Sequence, residues 1–299
     1  LFHKNSEEIS SGYFGKLPEF NDFIKFNAGS PEIQFIDNWL QEGLSRAKLK
    51  FKSKWKLNYE NLPPTFFYIP VPSSEKNVAG MLYAGRDKSG REFPFVIFSL
   101  FSGKVFNKFY LIPAELEQTL FTLDAILRKE EDIPSLNTAL KNNITVIPSE
   151  DSISAGFNRY LLNTNINEFL ARTGLDNSIF NLDNLTYTDS SFLRISFTSD
   201  KEHFCFDAGY LIGIYEKKIN LAGEHSSVFW NNNDDRFQMK IFPFKLTATG
   251  FIDLLSLDIN DNRVINIKSS SEDPEAGEEN KLSKFSENNF SLQETLKFF

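Results

Sequence analysis

Hydrophobic positions along this chain follow two periods, helical first and strand-like after. From residue 30 onward Ile33, Ile36, Leu40, Leu44, Ala47 and Phe51 recur at helical spacing, and Phe35 and Trp39 widen their stripe. Asp37, Asn38, Glu42, Arg46 and Lys48 mostly occupy the opposite, water-facing side. Ser30-Pro31-Glu32 predicts the helix start: a hydroxyl N-cap, proline at the first helical position and an acid in the first turn. Gly43 interrupts the stripe at a cost of about 1 kcal/mol, which calls for another element packed closely against it. Trp39, a large aromatic on that stripe, is expected in the core.

After a second short helical stretch near Trp55, Pro63-Pro64 breaks the pattern. Thr65–Pro70, Val78–Tyr83 and Phe93–Phe101 then read as buried strands, the last with Pro94 near its start or at an edge. The turn chemistry of Gly85-Arg-Asp-Lys-Ser-Gly90 separates the second from the third. Pro113 opens a helix through about Arg128 with Leu116, Leu120, Leu123 and Leu127 on one face. Further helix lies between Ser149 and Gly174, the glycine suiting the residue after a helix end. Ser191–Thr198 and Tyr210–Tyr215 read as strands. Alternating elements of this kind predict an α/β domain over residues 10–257, a three-layer αβα sandwich with a mixed central sheet. Residues 258–299 are expected to form a tail. Glu272–Glu279 holds five acids and no base in eight residues and reads as a flexible acidic linker. Phe290–Phe299 is apolar enough either to dock on the body or to engage a partner.

Composition sharpens this picture. A chain of 299 residues buries roughly three quarters of its unfolded surface, so its core needs neither disulfide nor metal. With 32 Phe residues that core is aromatic, and any surplus left outside would form apolar patches of the kind that mark partner surfaces. The single cysteine, Cys205, excludes an internal disulfide and fits a reducing, cytoplasmic setting. No run of about 20 apolar residues is present, so membrane insertion is not expected. A formal charge of -8 argues against nucleic-acid binding, which needs clustered Lys and Arg, and favours a protein partner.

Few residues invite chemistry. Gly12-Tyr-Phe-Gly-Lys16 suggests a phosphate loop, but the glycine spacing is wrong and Leu17 stands where a magnesium-binding hydroxyl is needed. Tyr13-Phe14 reads instead as a short buried strand between glycines, with Asn21-Asp22 turning the chain after Pro18. His203 and Cys205 would share one face of a strand, yet two ligands without neighbours make a poor metal site. Asn231–Asp235 lacks the ligand spacing of a calcium loop and reads as a solvated turn. No nucleophile elbow, zinc helix or dinucleotide fingerprint occurs, so no catalytic, cofactor or metal residue is assigned. The group worth following is Lys16, Asp22, Arg86, Asp87 and Arg91, charges attached to the ends of buried strands. Either Arg91 pairs with Asp22 or Asp87 and fastens loops, or the group rims a partner-binding surface.

Several ordered blocks carry a family resemblance. Gly12-Tyr-Phe-Gly-Lys-Leu-Pro18, then Asp22-Phe23 and the helix holding Trp39-Leu40-Gln41, resemble the opening of the TagF proteins, also called ImpM, which are encoded with bacterial type VI secretion systems. Ala79-Gly80-Met81-Leu82, Arg86-Asp87 and Gly90-Arg91-Glu92-Phe93-Pro94 resemble a second block of that family, about 60 residues on. Ser227-Val-Phe-Trp230 and Phe251-Ile-Asp-Leu-Leu255 are similar to a later strand and a closing helix, so the likeness runs from Gly12 to about Leu257. Asn21, Phe26 and Tyr83-Ala84 depart from the pattern, where Gly, Arg and Pro-Ser are usual. The resemblance implies a cytoplasmic, non-enzymatic, post-translational repressor of type VI secretion that binds machinery components, most directly the forkhead-associated scaffold protein. A hydrolase-type enzyme with its site among the strand-end charges, or a structural subunit of the machine, are the alternatives.

Overall fold

The computed structural model describes residues 10–102, 108–129, 132–142, 150–180, 192–219, 226–233, 236–256, 264–267 and 290–298. Among these, nine strands form a single sheet. They are β1 (Ser10–Gly15), β2 (Ile24–Phe26), β3 (Thr65–Pro70), β4 (Lys76–Tyr83), β5 (Phe95–Ser102), β6 (Phe192–Thr198), β7 (Ser227–Asn233), β8 (Arg236–Phe242) and β9 (Val264–Ile267). Their spatial order is β2-β1-β5-β4-β3-β7-β8-β6-β9. Neighbours are antiparallel except β6 and β9, which run parallel, so the sheet is mixed.

One face is covered by α1 (Pro31–Phe51), α2 (Trp55–Glu60) and α8 (Ala248–Leu255), the other by α3 (Ile112–Lys129), α4 (Ile133–Asn142), α5 (Glu150–Asn163), α6 (Ile166–Thr173) and α7 (Phe204–Ile219). Each interface holds its own aromatic core, and the three layers are those the alternating pattern predicts. Strands β3 and β5 are buried on both faces, which is why Thr65–Pro70 and Phe95–Phe101 are apolar runs rather than alternating ones.

Helix α1 begins as its sequence predicts, with Ser30 Oγ accepting from Ile33 N at 3.4 Å and Pro31 at the first position. The element that Gly43 admits is α8: a Cβ at Gly43 would stand 2.5 Å from the Cβ of Phe251. Trp39 is buried in the same seam, its ring 5.7 Å from Phe251 and 5.9 Å from Phe229, its Nε1 donating to the Thr247 carbonyl at 2.7 Å.

The structure corrects four expectations. Tyr210–Tyr215 is not a strand but the middle of α7, a helix buried on nearly every side, so its apolar run carries no 3.6 period. His203 and Cys205 therefore share no strand face. His203 lies in the turn before α7 and bonds Asp200 through Nδ1 at 2.7 Å, whereas the buried Cys205 directs Sγ to the Pro113 carbonyl at 3.4 Å. Asn231–Asn233 continues β7 rather than turning, paired with Arg236–Gln238 of β8. Beyond residue 257, Val264–Ile267 adds β9 to the sheet.

The C-terminal segment also reaches the body. Helix α9 (Leu292–Thr295) opens with a capping box between Ser291 and Glu294, and Leu292 is buried. Ile166 N donates to the Phe290 carbonyl at 2.8 Å, and the hydroxyls of Tyr210 and Thr295 bond at 2.6 Å. The acidic stretch 272–279 lies outside the described residues.

Candidate functional site, a charged clasp between strand ends

The end of β1 and the β4–β5 connection meet at one corner of the sheet. Close approach is possible because residue 85 has no side chain: a Cβ there would stand 2.4 Å from the carbonyl oxygens of both Lys16 and Phe93. The hydroxyl of Tyr59, from α2, donates to the Gly85 carbonyl at 2.8 Å and fixes the crossing point from below.

Asp87 is the centre of the corner, with its side chain fully buried. Its Oδ1 accepts from Ser89 N at 3.0 Å, Ser89 Oγ at 2.7 Å and Arg91 N at 2.9 Å. Its Oδ2 accepts from Arg91 Nε at 2.7 Å and lies 3.0 Å from Lys16 Nζ. Arg91 then reaches across to the other loop, Nη2 donating to the Asn21 carbonyl at 2.9 Å and to Asp22 Oδ1 at 3.2 Å. A backbone bond from Lys88 N to the Phe20 carbonyl, 2.8 Å, closes the clasp. Burial by itself would raise the Asp87 carboxyl. Hydrogen bonds from Ser89, Lys16 and Arg91 outweigh that effect and hold it well below the usual carboxylate range.

Four of the five singled-out charges thus form one network, and Arg86 stands aside. Its guanidinium points to the neighbouring helix, 3.7 Å from Glu60 Oε1, and is 59% exposed. Arg91 is equally exposed while held, and Asp22 is 88% exposed. Half-exposed Phe23 lies beside them, its ring 5.3 Å from Phe93. Sequence reasoning missed Ser89 and Glu92. Asp87-Lys-Ser-Gly is an Asx-type turn, so the Ser89 bonds follow from the turn chemistry itself. Glu92, which joins Lys48 at 3.1 Å and Trp55 Nε1 at 3.4 Å, depends on a helix some 40 residues away and had no local signal.

This arrangement suits holding rather than reacting. An acid whose oxygens already accept five bonds, and whose pKa is lowered, has no proton to give near neutral pH. Acids with raised pKa lie elsewhere. Glu115, buried in the first turn of α3, has neither oxygen hydrogen-bonded among the described residues. Burial first, then Glu150, pushes it up to about 7 against the pull of Lys108. Burial also pushes Glu216 of α7 up to about 7. Because the folded protein binds the Glu115 proton more tightly than the unfolded chain, this group's contribution to stability is fully present below its ordinary value of 4.5 and is lost as pH rises towards about 7. Glu115→Gln is expected to flatten the fall in unfolding free energy between mildly acidic and mildly alkaline pH. Parallel urea titrations of both proteins check this, and an unchanged slope refutes it.

Among the described residues no group of three or more His, Cys, Asp or Glu is placed to hold a metal ion, and no helix is long and apolar enough to cross a membrane.

No curated protein matches the chain. Among solved structures, the crystal structure of PA0076 from Pseudomonas aeruginosa PAO1 aligns over 83% of this chain and 95% of its own, with a TM-score of 0.51 and 16% identity. At that identity the likeness shows a shared fold. The family model of the TagF N-terminal domain, described as type VI secretion system-associated, matches residues 12–143. That span contains Lys16, Asp22, Arg86, Asp87 and Arg91, while the later blocks at Ser227–Trp230 and Phe251–Leu255 fall outside it. Over residues 12–143 the match to the TagF N-terminal domain, type VI secretion system-associated, supports the family resemblance carried by the blocks at Gly12–Phe23 and Ala79–Pro94.

Proposed function

We propose that the protein is a post-translational negative regulator of the bacterial type VI secretion system, acting in the cytoplasm by binding a component of the machinery. The family resemblance favours the forkhead-associated scaffold protein as that component. The observation that carries the reading is the clasp. Asp87 locks two loops together from inside and holds Arg91, whose exposed side chain meets Asp22 beside Phe23, while Arg86 is exposed on the side of Glu60. Side chains already held by a buried partner lose less freedom on docking, so such a rim suits recognition. Repression then needs only occupancy: a binder that prefers the idle scaffold draws its population away from the assembling form. The hydrolase alternative is less well supported, because the one buried acid of the corner is saturated and strongly ionised.

Arg91→Ala and Arg86→Glu are each expected to weaken capture of the scaffold protein about tenfold or more, as arginine anchors do. Both should still unfold cooperatively, since Asp87 keeps Lys16 and both Ser89 donors. Affinity capture with the purified, tagged variants measures this. Unaltered capture by both removes the surface from the account, and an unfolded Arg91→Ala reduces Arg91 to a loop fastener.

A further inference from the structure

A second polar feature lies towards the β9 edge of the sheet, where the three neighbouring strands β7, β8 and β6 bring a block of hydrophilic side chains under the helical layer. The register sets Arg194 of β6 beside Lys240 of β8, and Ser196 beside Gln238. On the other side of β8, Phe229 pairs with Lys240 and Asn231 with Gln238. By the two-residue period these side chains share the face that α1, α2 and α8 cover. Further along the same rows Phe192, Phe229 and Phe242 supply core on that face, as the layer demands. Arg194, Lys240 and Asn231 are nevertheless buried, 4%, 5% and 9% exposed. The strand sequences Phe-Leu-Arg-Ile-Ser-Phe-Thr and Arg-Phe-Gln-Met-Lys-Ile-Phe alternate as if one face met water. Here that face meets a partly open cavity of about 210 Å³ between the strands, α2 and the end of α8.

Part of this polarity serves the fold. Lys240 Nζ donates to the carbonyls of Asp253 at 3.1 Å and Leu254 at 2.8 Å, and Arg194 Nη2 donates to that of Ser256 at 3.1 Å, so both cap the end of α8. Capping explains neither the amides nor the space. An ammonium has three donors, and the carbonyls of α8 take two of those on Lys240. Asn58 from α2, Asn231 and Gln238 complete a ring of neutral hydrogen-bonding groups around the two cations, with Ser196 in the floor.

We infer that this cavity is a binding site for a small oxyanion of the phosphate class, held by Lys240 and Arg194 and oriented by Gln238, Asn231, Ser196 and Asn58. Two largely buried cations line the cavity, Arg194 and Lys240, and buried positive charge favours an anionic occupant. Donors converging from three strands and a helix match a tetrahedral ion, whose acceptors point in all directions, better than a planar carboxylate. The volume of about 210 Å³ lies below the about 300 to 1,000 Å³ usual for drug-sized ligands, which favours a small occupant. Burial, then Arg194, lowers the Lys240 pKa to about 7 against the opposing pull of Asp253, so a bound anion would draw a proton onto Lys240. Affinity for an oxyanion of fixed charge, such as sulfate, therefore falls as pH rises through about 7.

Isothermal titration of the full chain with inorganic phosphate, against chloride at matched ionic strength, and with sulfate, whose charge is constant, at about pH 6 and about pH 8, tests this. The expected result is saturable binding of phosphate, sulfate binding that is tighter at the lower pH, and phosphate weakened about tenfold or more in Lys240→Met, the effect of one lost hydrogen bond to a charged group. Since Lys240 also caps α8, Gln238→Leu serves as the second variant. It leaves both cations and the caps in place and is expected to weaken phosphate as well. Phosphate binding no better than chloride, or a Gln238→Leu protein that binds like the parent, overturns the assignment.

Discussion

Trp39→Ala is expected to lower the unfolding free energy by about 3 to 5 kcal/mol, the usual range for emptying a buried aromatic site. Two aromatic rings flank the indole. Phe251 meets its ring edge-on at 5.7 Å and Phe229 lies 5.9 Å away, so alanine leaves a void between the sheet and α8. It also strands the Thr247 carbonyl that the indole N–H now satisfies at 2.7 Å. Collapse to fill the void is hindered because Gly43 already brings α1 into contact with Phe251. Chemical denaturation of parent and variant measures the difference. A loss below about 1 kcal/mol contradicts the packing described for the α1–α8 seam.

Asp207→Ala is expected to cost about 3 to 5 kcal/mol as well, for an electrostatic reason. The Asp207 carboxylate, fully buried on α7, accepts from Arg172 Nε at 3.0 Å and Nη2 at 2.7 Å, from Ser199 Oγ at 2.6 Å and from the Tyr160 hydroxyl. Three elements and a strand end therefore converge on one acid, and its removal leaves a largely buried guanidinium without its counter-charge. The double change Asp207→Leu with Arg172→Met is expected to recover much of the loss, since an apolar pair of similar volume often replaces a buried ion pair without penalty. Denaturant curves of the parent and the two variants decide it. A double variant no better than Asp207→Ala shows that packing, not the stranded charge, sets the cost.

Local signals account for the parts of the fold that were legible. Strand β3 is bounded by Pro63-Pro64 and Pro70, and its limits can be read directly. Helix α1 announces its start through Ser30-Pro31, and its glycine correctly demands a close neighbour, although only the fold shows that the neighbour is Phe251. Helix α7 was hidden because burial all round erases the periodicity by which a helix is told from a strand. Asp200, whose side chain accepts from the backbone N–H groups of Glu202 and His203, was the available sign of a helix start. Strands β2 and β9 are three and four residues long, too short to carry a pattern.

The site was legible to the same degree. Charges placed at strand ends must find partners, and Lys16, Asp22, Asp87 and Arg91 find one another. Arg86 carries the same signal yet turns to Glu60, because the direction in which a loop residue points is set by backbone bonds such as Phe93 N to Gly85 O at 3.0 Å. The Arg172–Asp207 pair and the Arg194–Lys240 cavity were out of reach. Their strands and helices are distant in sequence, and a polar alternation reads as a water-facing strand until the covering helices are known.

The measurement that tests the central claim most directly is secretion of the type VI tube protein from cells that lack the gene, cells that overexpress it, and cells that carry Arg91→Ala at the native level. The account predicts increased secretion on deletion, decreased secretion on overexpression, and the deletion phenotype from an Arg91→Ala protein that is folded and present in normal amount. Loss of secretion on deletion would contradict it and make the protein a required part of the machine rather than a restraint upon it.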